Sequence, residues 1–361
     1  MLCAYVAASG DDALTIINVT DPSNPAFVGS VQKAALPDSL DNCYNVFVLG
    51  DYAYLNSYND NCFTIVNISD RTNPTLAGSL AGSGAPNFLL RASAVFVVGN
   101  IAYAIGENDN ALTIINVANP AAPALLGSIQ GAGAIPWLGR PDQLYVVGNY
   151  AYVAATDDDS LTIIDVTNPA APVYSGSIRG AGAPNFLNTI SGVFVIGTIA
   201  YTTAALDDSL SIFNVTNPAA PALLGSIQGD GAPNYLDGAR NVFVVGNYAY
   251  VAASGGLADS LTIINISNPA LPTFVGSIRG AGAPNFLGAP QNVVVEGNYA
   301  YVTALWDGLT IIDISNPAAP TFVGNIQGSG APNFLDMPRG VKVASHLSTG
   351  VVQTLPATEI T

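Results

Sequence analysis

Short apolar runs alternate with Gly-, Pro- and Asn-rich turns along the whole chain of 361 residues. In one unit, the apolar runs are residues 242–246, 248–253, 261–266 and 273–278. Runs of this length bounded by turn residues predict strands, and no window has the spacing of an amphipathic helix. Near copies of the third run begin at Leu14, Phe63, Leu112, Leu161, Leu210, Leu261 and Leu309. The pattern therefore predicts an all-β chain of seven four-stranded units.

The two ends of the chain each hold an incomplete unit. The chain begins in a second strand, at residues 3–6, and residues 340–343 form a first strand that no third strand follows. Units of roughly 40–50 residues with four antiparallel strands are typical of β-propeller blades. We predict a single-domain, seven-bladed β-propeller over residues 1–345, closed by pairing the C-terminal strand with the N-terminal blade. Residues 346–361 are then a C-terminal tail.

One unit resembles a known repeat family. Its residues 161–172 read LTIIDVTNPAAP and follow GNYAYV at residues 148–153. This is similar to the LVIVD repeat, which has a Tyr-Val strand, a Leu-x-Ile-x-Asp-Val strand and an Asn/Asp-Pro-x-x-Pro turn. The resemblance covers all seven units, from about residue 3 to 343, although several units have asparagine in place of the aspartate. It implies a β-propeller, commonly exported or surface-associated, and brings no shared catalytic residues.

The charge balance excludes some partners. The chain has 25 Asp and Glu against 9 Lys and Arg, a formal net charge of −16. Such a charge repels phosphate, so we expect no nucleic acid partner and no binding to anionic membranes. No apolar run approaches the roughly 20 residues of a membrane-spanning helix, so we expect no membrane insertion. The low-charge, Asn/Gly/Ser/Thr-rich composition favours an extracellular or cell-surface protein, although no signal peptide precedes the first strand.

A ligand site is predicted at the mouth of the central channel. In a propeller blade, the turn between the second and third strands and the corner leading to the next blade lie on one face. Eighteen of the 25 acidic residues fall on that face. The residues just before each first strand differ most between units and should rim the channel. The candidates are Arg91, Arg140, Asp142, Asp237, Arg240, Asp336 and Arg339. The expected partner is an unknown protein or a saccharide.

The acidic turns raise the possibility of calcium. Two positions before every third strand the chain has Asp or Asn, which predicts a turn-forming residue bonded to its own backbone. The next position outward varies, so it is free to serve a ligand or solubility. Calcium suits oxygen-rich turns, and the possible ligands are Asp11, Asp60, Asp109, Asp158 and Asp207. No turn has the spacing of an EF-hand loop, so the sequence predicts no cofactor beyond possible calcium.

The corner motif Gly-Ala-Pro-Asn-Phe-Leu recurs in several units and has two interpretations. Its asparagines (Asn185, Asn234, Asn285 and Asn333) could present a ring to a saccharide or peptide. Alternatively, Gly and Pro turn the chain while the aromatic-Leu pair fills the gap between blades. We favour the structural interpretation, because a feature this regular builds the repeat.

Reactive side chains are scarce. Cys43 and Cys62 fall in one unit and are either a disulfide pair or two buried free thiols. The single histidine, His346, lies past the last blade strand, so one chain cannot assemble a Ser–His–Asp triad or a histidine-ligated metal site. We therefore interpret the chain as a non-enzymatic exported or surface-displayed binding or structural module. The alternatives are a calcium-dependent saccharide-binding or hydrolytic propeller, and a repeating surface coat or filament subunit. The expected state is a monomer or a surface assembly.

Overall fold

Seven four-stranded antiparallel sheets form a ring in the computed structural model, which describes residues 1–33, 39–133, 135–256 and 259–345. The predicted all-β, seven-bladed propeller is confirmed. The described residues include no helix that is long and apolar enough to cross a membrane. The predicted tail, residues 346–361 with His346, lies outside the described residues.

The strands are numbered in chain order and grouped into blades. The chain begins with β1 (Leu2–Ala8), β2 (Ala13–Asn18) and β3 (Ala26–Gln32), which belong to blade 1. Blade 2 contains β4 (Cys43–Leu49), β5 (Tyr52–Ser57), β6 (Cys62–Asn67) and β7 (Thr75–Ala81). Blade 3 contains β8 (Ala92–Val98), β9 (Ile101–Gly106), β10 (Ala111–Asn116) and β11 (Ala124–Gln130). Blade 4 contains β12 (Pro141–Val147), β13 (Tyr150–Ala155), β14 (Ser160–Asp165) and β15 (Val173–Arg179).

The remaining blades follow the same order. Blade 5 contains β16 (Ile190–Ile196), β17 (Ile199–Ala204), β18 (Ser209–Asn214) and β19 (Ala222–Gln228). Blade 6 contains β20 (Ala239–Val245), β21 (Tyr248–Ala253), β22 (Ser260–Asn265) and β23 (Thr273–Arg279). Blade 7 contains β24 (Pro290–Glu296), β25 (Tyr299–Ala304), β26 (Gly308–Asp313) and β27 (Thr321–Ile326). The last strand, β28 (Pro338–Ser345), returns to blade 1.

The ring closes by pairing the two ends of the described chain. Strand β28 runs antiparallel to β1, with Ala4 opposite Val343 and Val6 opposite Val341. Blade 1 thus has the order β28-β1-β2-β3, which matches the inner-to-outer order of the other blades. This is the predicted closure. We call the β28–β1 pairing the seam, and it leaves no unpaired second strand in blade 1.

The hydrophobic core lies between blades. In each blade the second and third strands are buried on both faces, because neighbouring sheets cover them. One cluster joins Leu161 and Ile163 of blade 4 to Val193 and Val195 of blade 5, and equivalent clusters fill the other blade interfaces. A strand covered on both faces consists of a nearly continuous run of apolar residues, which explains why the third strands are apolar along almost their whole length.

Each first strand begins about three residues earlier than the apolar pattern predicts. In blade 6, Ala239 lies opposite Ala253 while Asn241 lies opposite Ala252, so one residue of β20 is unpaired. This irregularity is a β-bulge, and bulges are common where a strand redirects side chains towards a site. The first strands of all the other blades carry an equivalent one. The predicted residues Asp142, Arg240 and Arg339 therefore lie inside the first strands and not before them. The other four, Arg91, Arg140, Asp237 and Asp336, precede the first strands as predicted.

Of the two alternatives for Cys43 and Cys62, the free-thiol one is confirmed and the disulfide is wrong, because both cysteines are free and fully buried. Cys43 lies on β4 and Cys62 on β6, and each of them pairs with Ser57 on the intervening strand β5. Two interstrand spacings of about 4.8 Å separate their Cα atoms by roughly 10 Å, whereas a disulfide allows about 7 Å at most. Burial raises the pKa of both thiols, so they behave as small apolar core residues.

The corner motif is used within the blade. Its asparagines donate from Nδ2 to a backbone carbonyl six residues earlier, as Asn185 does to Arg179 at 2.7 Å and Asn285 to Arg279 at 2.7 Å. The leucine that ends the motif is buried between blades; Leu187 and Leu287 are both fully buried. Six corners share a cis X-Pro bond. These contacts agree with the structural interpretation of the motif.

Candidate functional site

Buried carboxylates hold the corners in place on the predicted acidic face. Asp158, 6% exposed, follows β13 and reaches back to the corner that precedes its own blade. Its Oδ1 accepts a hydrogen bond from the Gly133 N–H at 3.1 Å, and its Oδ2 accepts one from the Gly139 N–H at 2.6 Å. The same pair of contacts, to residues 25 and 19 positions earlier, recurs at Asp109, Asp207 and Asp307. Asp11 makes the equivalent pair across the seam, to Gly330 and Asp336.

The five candidate calcium ligands consequently do not come together. Asp11, Asp109, Asp158 and Asp207 each bind the backbone of a different corner. The fifth, Asp60, accepts the Asp41 N–H at 2.7 Å and lies 3.4 Å from Lys33 Nζ. Among the described residues, no three His, Cys, Asp or Glu side chains are grouped as a metal ion would require.

The regular Asp or Asn before each third strand does form the turn, although its side chain has a different partner from the one predicted. These residues adopt positive φ, for example 47° at Asp159. The Asp159 carboxylate accepts the N–H of Thr189, thirty residues ahead, at 2.8 Å, and so ties its blade to the next one. In blade 7, Gly308 (φ 81°) takes the left-handed position, so Asp307 belongs with the corner-binding carboxylates instead.

A polar concavity opens at the mouth of the central channel, with about 400 Å³ of empty space including its opening. Three of the predicted ligand-binding residues line it: Asp142 from blade 4, Arg240 from blade 6 and Arg339 from blade 1. The remaining lining side chains are mostly neutral hydrogen-bonding groups, namely Tyr44, Asn45, Gln143, Ser191, Gln291 and Asn292. The concavity therefore combines two guanidinium groups, one carboxylate and a ring of amides and hydroxyls.

Asp142 is the acidic group of this concavity. The pKa of Asp142 is raised to about 6, first by burial and second by the nearby Glu107 carboxylate, while Arg240, Arg140 and Arg339 oppose the shift. Among the described residues, none donates a hydrogen bond to the Asp142 carboxylate. A carboxylate without a donor, facing a polar concavity, is free to accept hydrogen bonds from a ligand.

Arg339 is held in place by a stack of aromatic and basic side chains. Its guanidinium lies 4.4 Å from the ring centroid of Tyr44 and donates to the Tyr44 hydroxyl at 3.2 Å. Tyr44 stacks on Tyr58 at 5.3 Å, and the Arg91 guanidinium lies over the Tyr58 ring, 5.2 Å from its centroid. Arg91 thus supports the rim of the mouth without lining the concavity.

The other candidates have structural partners. Arg140 Nε donates to Glu107 at 2.7 Å, next to the concavity. Asp336 donates its own N–H to Asp11, and the Asp336 and Asp237 carboxylates pack against glycines of the adjacent turns. At Gly255, a Cβ would come within 1.9 Å of the Asp237 carboxylate. Three of the seven residues predicted from the sequence thus line the concavity, and the other four do not. The lining side chains that were not among the seven are Tyr44, Asn45, Gln143, Ser191, Gln291 and Asn292. The bulge explains the omission, because it turns two successive residues of a first strand towards the channel.

Below the mouth, aromatic side chains line the channel. Phe47, Phe96, Tyr145, Phe194 and Phe243 occupy equivalent positions in blades 2 to 6, with successive ring centroids 4.8–4.9 Å apart. Val294 and Lys342 occupy this position in blades 7 and 1, where they lie opposite Tyr301 and Tyr5 respectively. We call these seven residues the channel ring.

Solved structures share the fold at low sequence identity. The periplasmic gluconolactonase of Pseudomonas aeruginosa, PpgL, is 10% identical with a TM-score of 0.71, over 96% of this chain and 99% of that one. A functionally unknown protein from Desulfotomaculum acetoxidans is 11% identical with a TM-score of 0.69, over 94% and 98%. A protein from Lactobacillus plantarum is 12% identical with a TM-score of 0.72, over 95% and 99%. No curated protein sequence matches the chain.

The family comparison agrees with the repeat pattern. The LVIVD repeat model matches residues 3–33, 42–81, 91–130, 139–179, 238–279 and 287–327. These are six of the seven units, so the expected resemblance over all seven is corrected: residues of blade 5, 190–228, lie outside the matches although they form an equivalent sheet. Because the six matches cover more than half of its residues, this chain belongs to the LVIVD repeat family.

Proposed function

We propose that this protein is a non-enzymatic, exported or surface-displayed binding module whose channel mouth takes a sugar acid. The convergence of Asp142, Arg240 and Arg339 in one concavity is the observation that carries the proposal. Guanidinium groups recognise carboxylates through paired hydrogen bonds. The Asp142 carboxylate and the surrounding amides are acceptors and donors for hydroxyl groups. A ligand with one carboxylate and several hydroxyls uses all of these groups.

The net charge of −16 does not prevent such a ligand from binding. At physiological ionic strength the Debye length is about 8 Å, so charges on the outer parts of the blades are largely screened at the mouth. The groups within contact distance decide the local field, and there two arginines face one carboxylate. Protonation of Asp142 removes that one negative charge. Since its pKa is raised to about 6, we expect sugar-acid binding to strengthen as the pH falls from 7 to 5.

A hydrolytic role has less support in this concavity. Acid–base hydrolysis of glycosides generally needs two carboxyl groups flanking the bond, and Asp142 is the one carboxylate among the described residues that line the site. The gluconolactonase of Pseudomonas aeruginosa is similar in fold alone. Measuring D-glucono-1,5-lactone hydrolysis with and without the protein tests this point directly. A rate above the spontaneous one would contradict the non-enzymatic part of the proposal.

Thermal melts with glucuronate test the binding. A ligand that binds only the folded state at ten times its Kd stabilises it by about 1.4 kcal/mol. We expect glucuronate to raise the Tm of the wild type and of Arg91→Gln, whose side chain lies outside the concavity, and not that of Arg240→Gln. Arg240 is exposed and contacts Ser254, so its replacement should leave the fold intact.

Matched ligands complete the test. Glucose lacks the carboxylate and should give a smaller shift than glucuronate. The same melts with calcium and with EDTA separate the proposal from calcium-dependent saccharide binding, which would make the glucuronate shift depend on calcium. A glucuronate shift that is equally large in Arg240→Gln would refute the proposed site.

A further inference from the structure

Lys342 occupies an unusual place in the channel ring. It lies on β28 opposite Tyr5, at the position where five other blades carry Phe or Tyr. Its Nζ lies 5.2 Å from the ring centroid of Phe47 in the neighbouring blade. Lys342 remains partly exposed. A primary amine is therefore placed among the aromatic side chains of the channel ring.

The amine has no close counter-ion. Among the described residues, no carboxylate lies within 4.0 Å of Lys342 Nζ. Burial lowers the pKa of Lys342, and the Glu296 carboxylate on the adjacent first strand opposes this shift weakly. The other groups packed beside it are the Phe47 ring from β4 and Tyr5 from β1. The Phe47 ring attracts the ammonium form, whereas desolvation without a paired acid favours the neutral amine, which is the nucleophilic form.

The other lysine of the chain has the opposite environment. Lys33 Nζ lies 2.5 Å from Asp41 and 3.4 Å from Asp60, on the face that holds the turns. The hydrogen bond to Asp41 raises the pKa of Lys33. The chain has only these two lysines. Lys33 is therefore an internal reference for the reactivity of Lys342.

We propose that Lys342 is an imine-forming site for a small aldehyde or ketone that enters the channel. The lone pair of Nζ adds to the carbonyl carbon and forms a C–N bond. The resulting carbinolamine loses its hydroxyl with one proton from nitrogen as water, which leaves a C=N bond; the amine's two hydrogens and the carbonyl oxygen leave as that water. No oxidant or reductant takes part. The inference rests on the geometry around Lys342 and is independent of the sugar-acid site, whose residues do not include it.

Reductive trapping tests the inference on the full chain. We would incubate the native protein with glycolaldehyde and sodium cyanoborohydride at pH 7.5 and map the modified amines by peptide mass spectrometry. The hydride of cyanoborohydride reduces the imine to a stable secondary amine. Each unit by which a lysine pKa falls gives about tenfold more free amine at this pH. Because the pKa of Lys342 is lowered and that of Lys33 is raised, we expect Lys342 to be labelled faster than Lys33.

Two controls keep the result interpretable. In denatured protein the two lysines should label at similar rates, because the environments that separate them are lost. The Lys342→Gln variant should lose the fast-labelled peptide, while Lys33 and the terminal amine should still be labelled. The Tm of this variant shows whether it is folded. Labelling of Lys342 that is no faster than that of Lys33, or seen only after denaturation, would overturn the inference. The glucuronate melts have their own readout, so the two proposals can fail separately.

Discussion

Replacing Leu187 by alanine should destabilise the propeller by about 2–5 kcal/mol, the usual cost of a Leu→Ala cavity in a packed core. Leu187 ends the corner before blade 5 and is fully buried among residues of blades 4 and 5. Neither blade can move to fill the space, because each is held on its other side by the ring. Urea unfolding monitored by circular dichroism would measure the change in the free energy of unfolding.

The matched control makes the same change on the surface. Leu206 is 68% exposed in the turn after β17, so Leu206→Ala should change the free energy of unfolding by less than about 0.5 kcal/mol. The two variants remove the same atoms from positions in the same blade region. Similar decreases in the free energy of unfolding of both variants would contradict the conclusion that the corner motif is part of the blade core.

The Asp158→Asn substitution should lower the free energy of unfolding by about 3 kcal/mol. The carboxylate accepts two backbone N–H bonds while almost fully buried. Hydrogen bonds to a charged group contribute about 1.5–3 kcal/mol each, and a side-chain amide supplies only one acceptor oxygen. One buried N–H of the corner would be left facing an NH₂ group. Thermal and urea unfolding of the variant would measure the loss.

Asp157 provides the comparison for that carboxylate. Its side chain is 63% exposed and lies 3.9 Å from Arg140, so Asp157→Asn should change stability by less than about 0.5 kcal/mol. The Asp157 and Asp158 variants remove the same charge from adjacent positions of one turn. If Asp158→Asn changed the free energy of unfolding as little as Asp157→Asn, the corner-binding role of Asp158 would be wrong.

Most of the fold could be predicted from the sequence because its signal repeats. The apolar runs recur with a nearly constant period, and a strand covered on both faces, such as β22, leaves a recognisable run of buried residues. Closure could be predicted too, since a lone second strand and a lone first strand at the two ends complete each other. The same strand order excludes the disulfide alternative for Cys43 and Cys62, because they lie on the first and third strands of one blade with the second strand between them.

The site was predictable only where the repeats differ. Asp142, Arg240 and Arg339 stand out because equivalent positions in other units carry different residues, and the structure brings them into one concavity. The role of Asp158 was not predictable, because its partners lie 19 and 25 positions earlier and bind through backbone groups common to every residue. Lys342 did leave a signal: it is the charged residue at a position where five other units, from Phe47 to Phe243 at a spacing of 49, carry Phe or Tyr.

The central claim is that the channel mouth, lined by Asp142, Arg240 and Arg339, is the ligand site of this protein. A crystal structure of the protein with glucuronate tests it most directly. The account predicts ligand density in the concavity, with the carboxylate at Arg240 and Arg339 and hydroxyl groups donating to Asp142. Density found only on the opposite face or on the outer rim of the blades would contradict it.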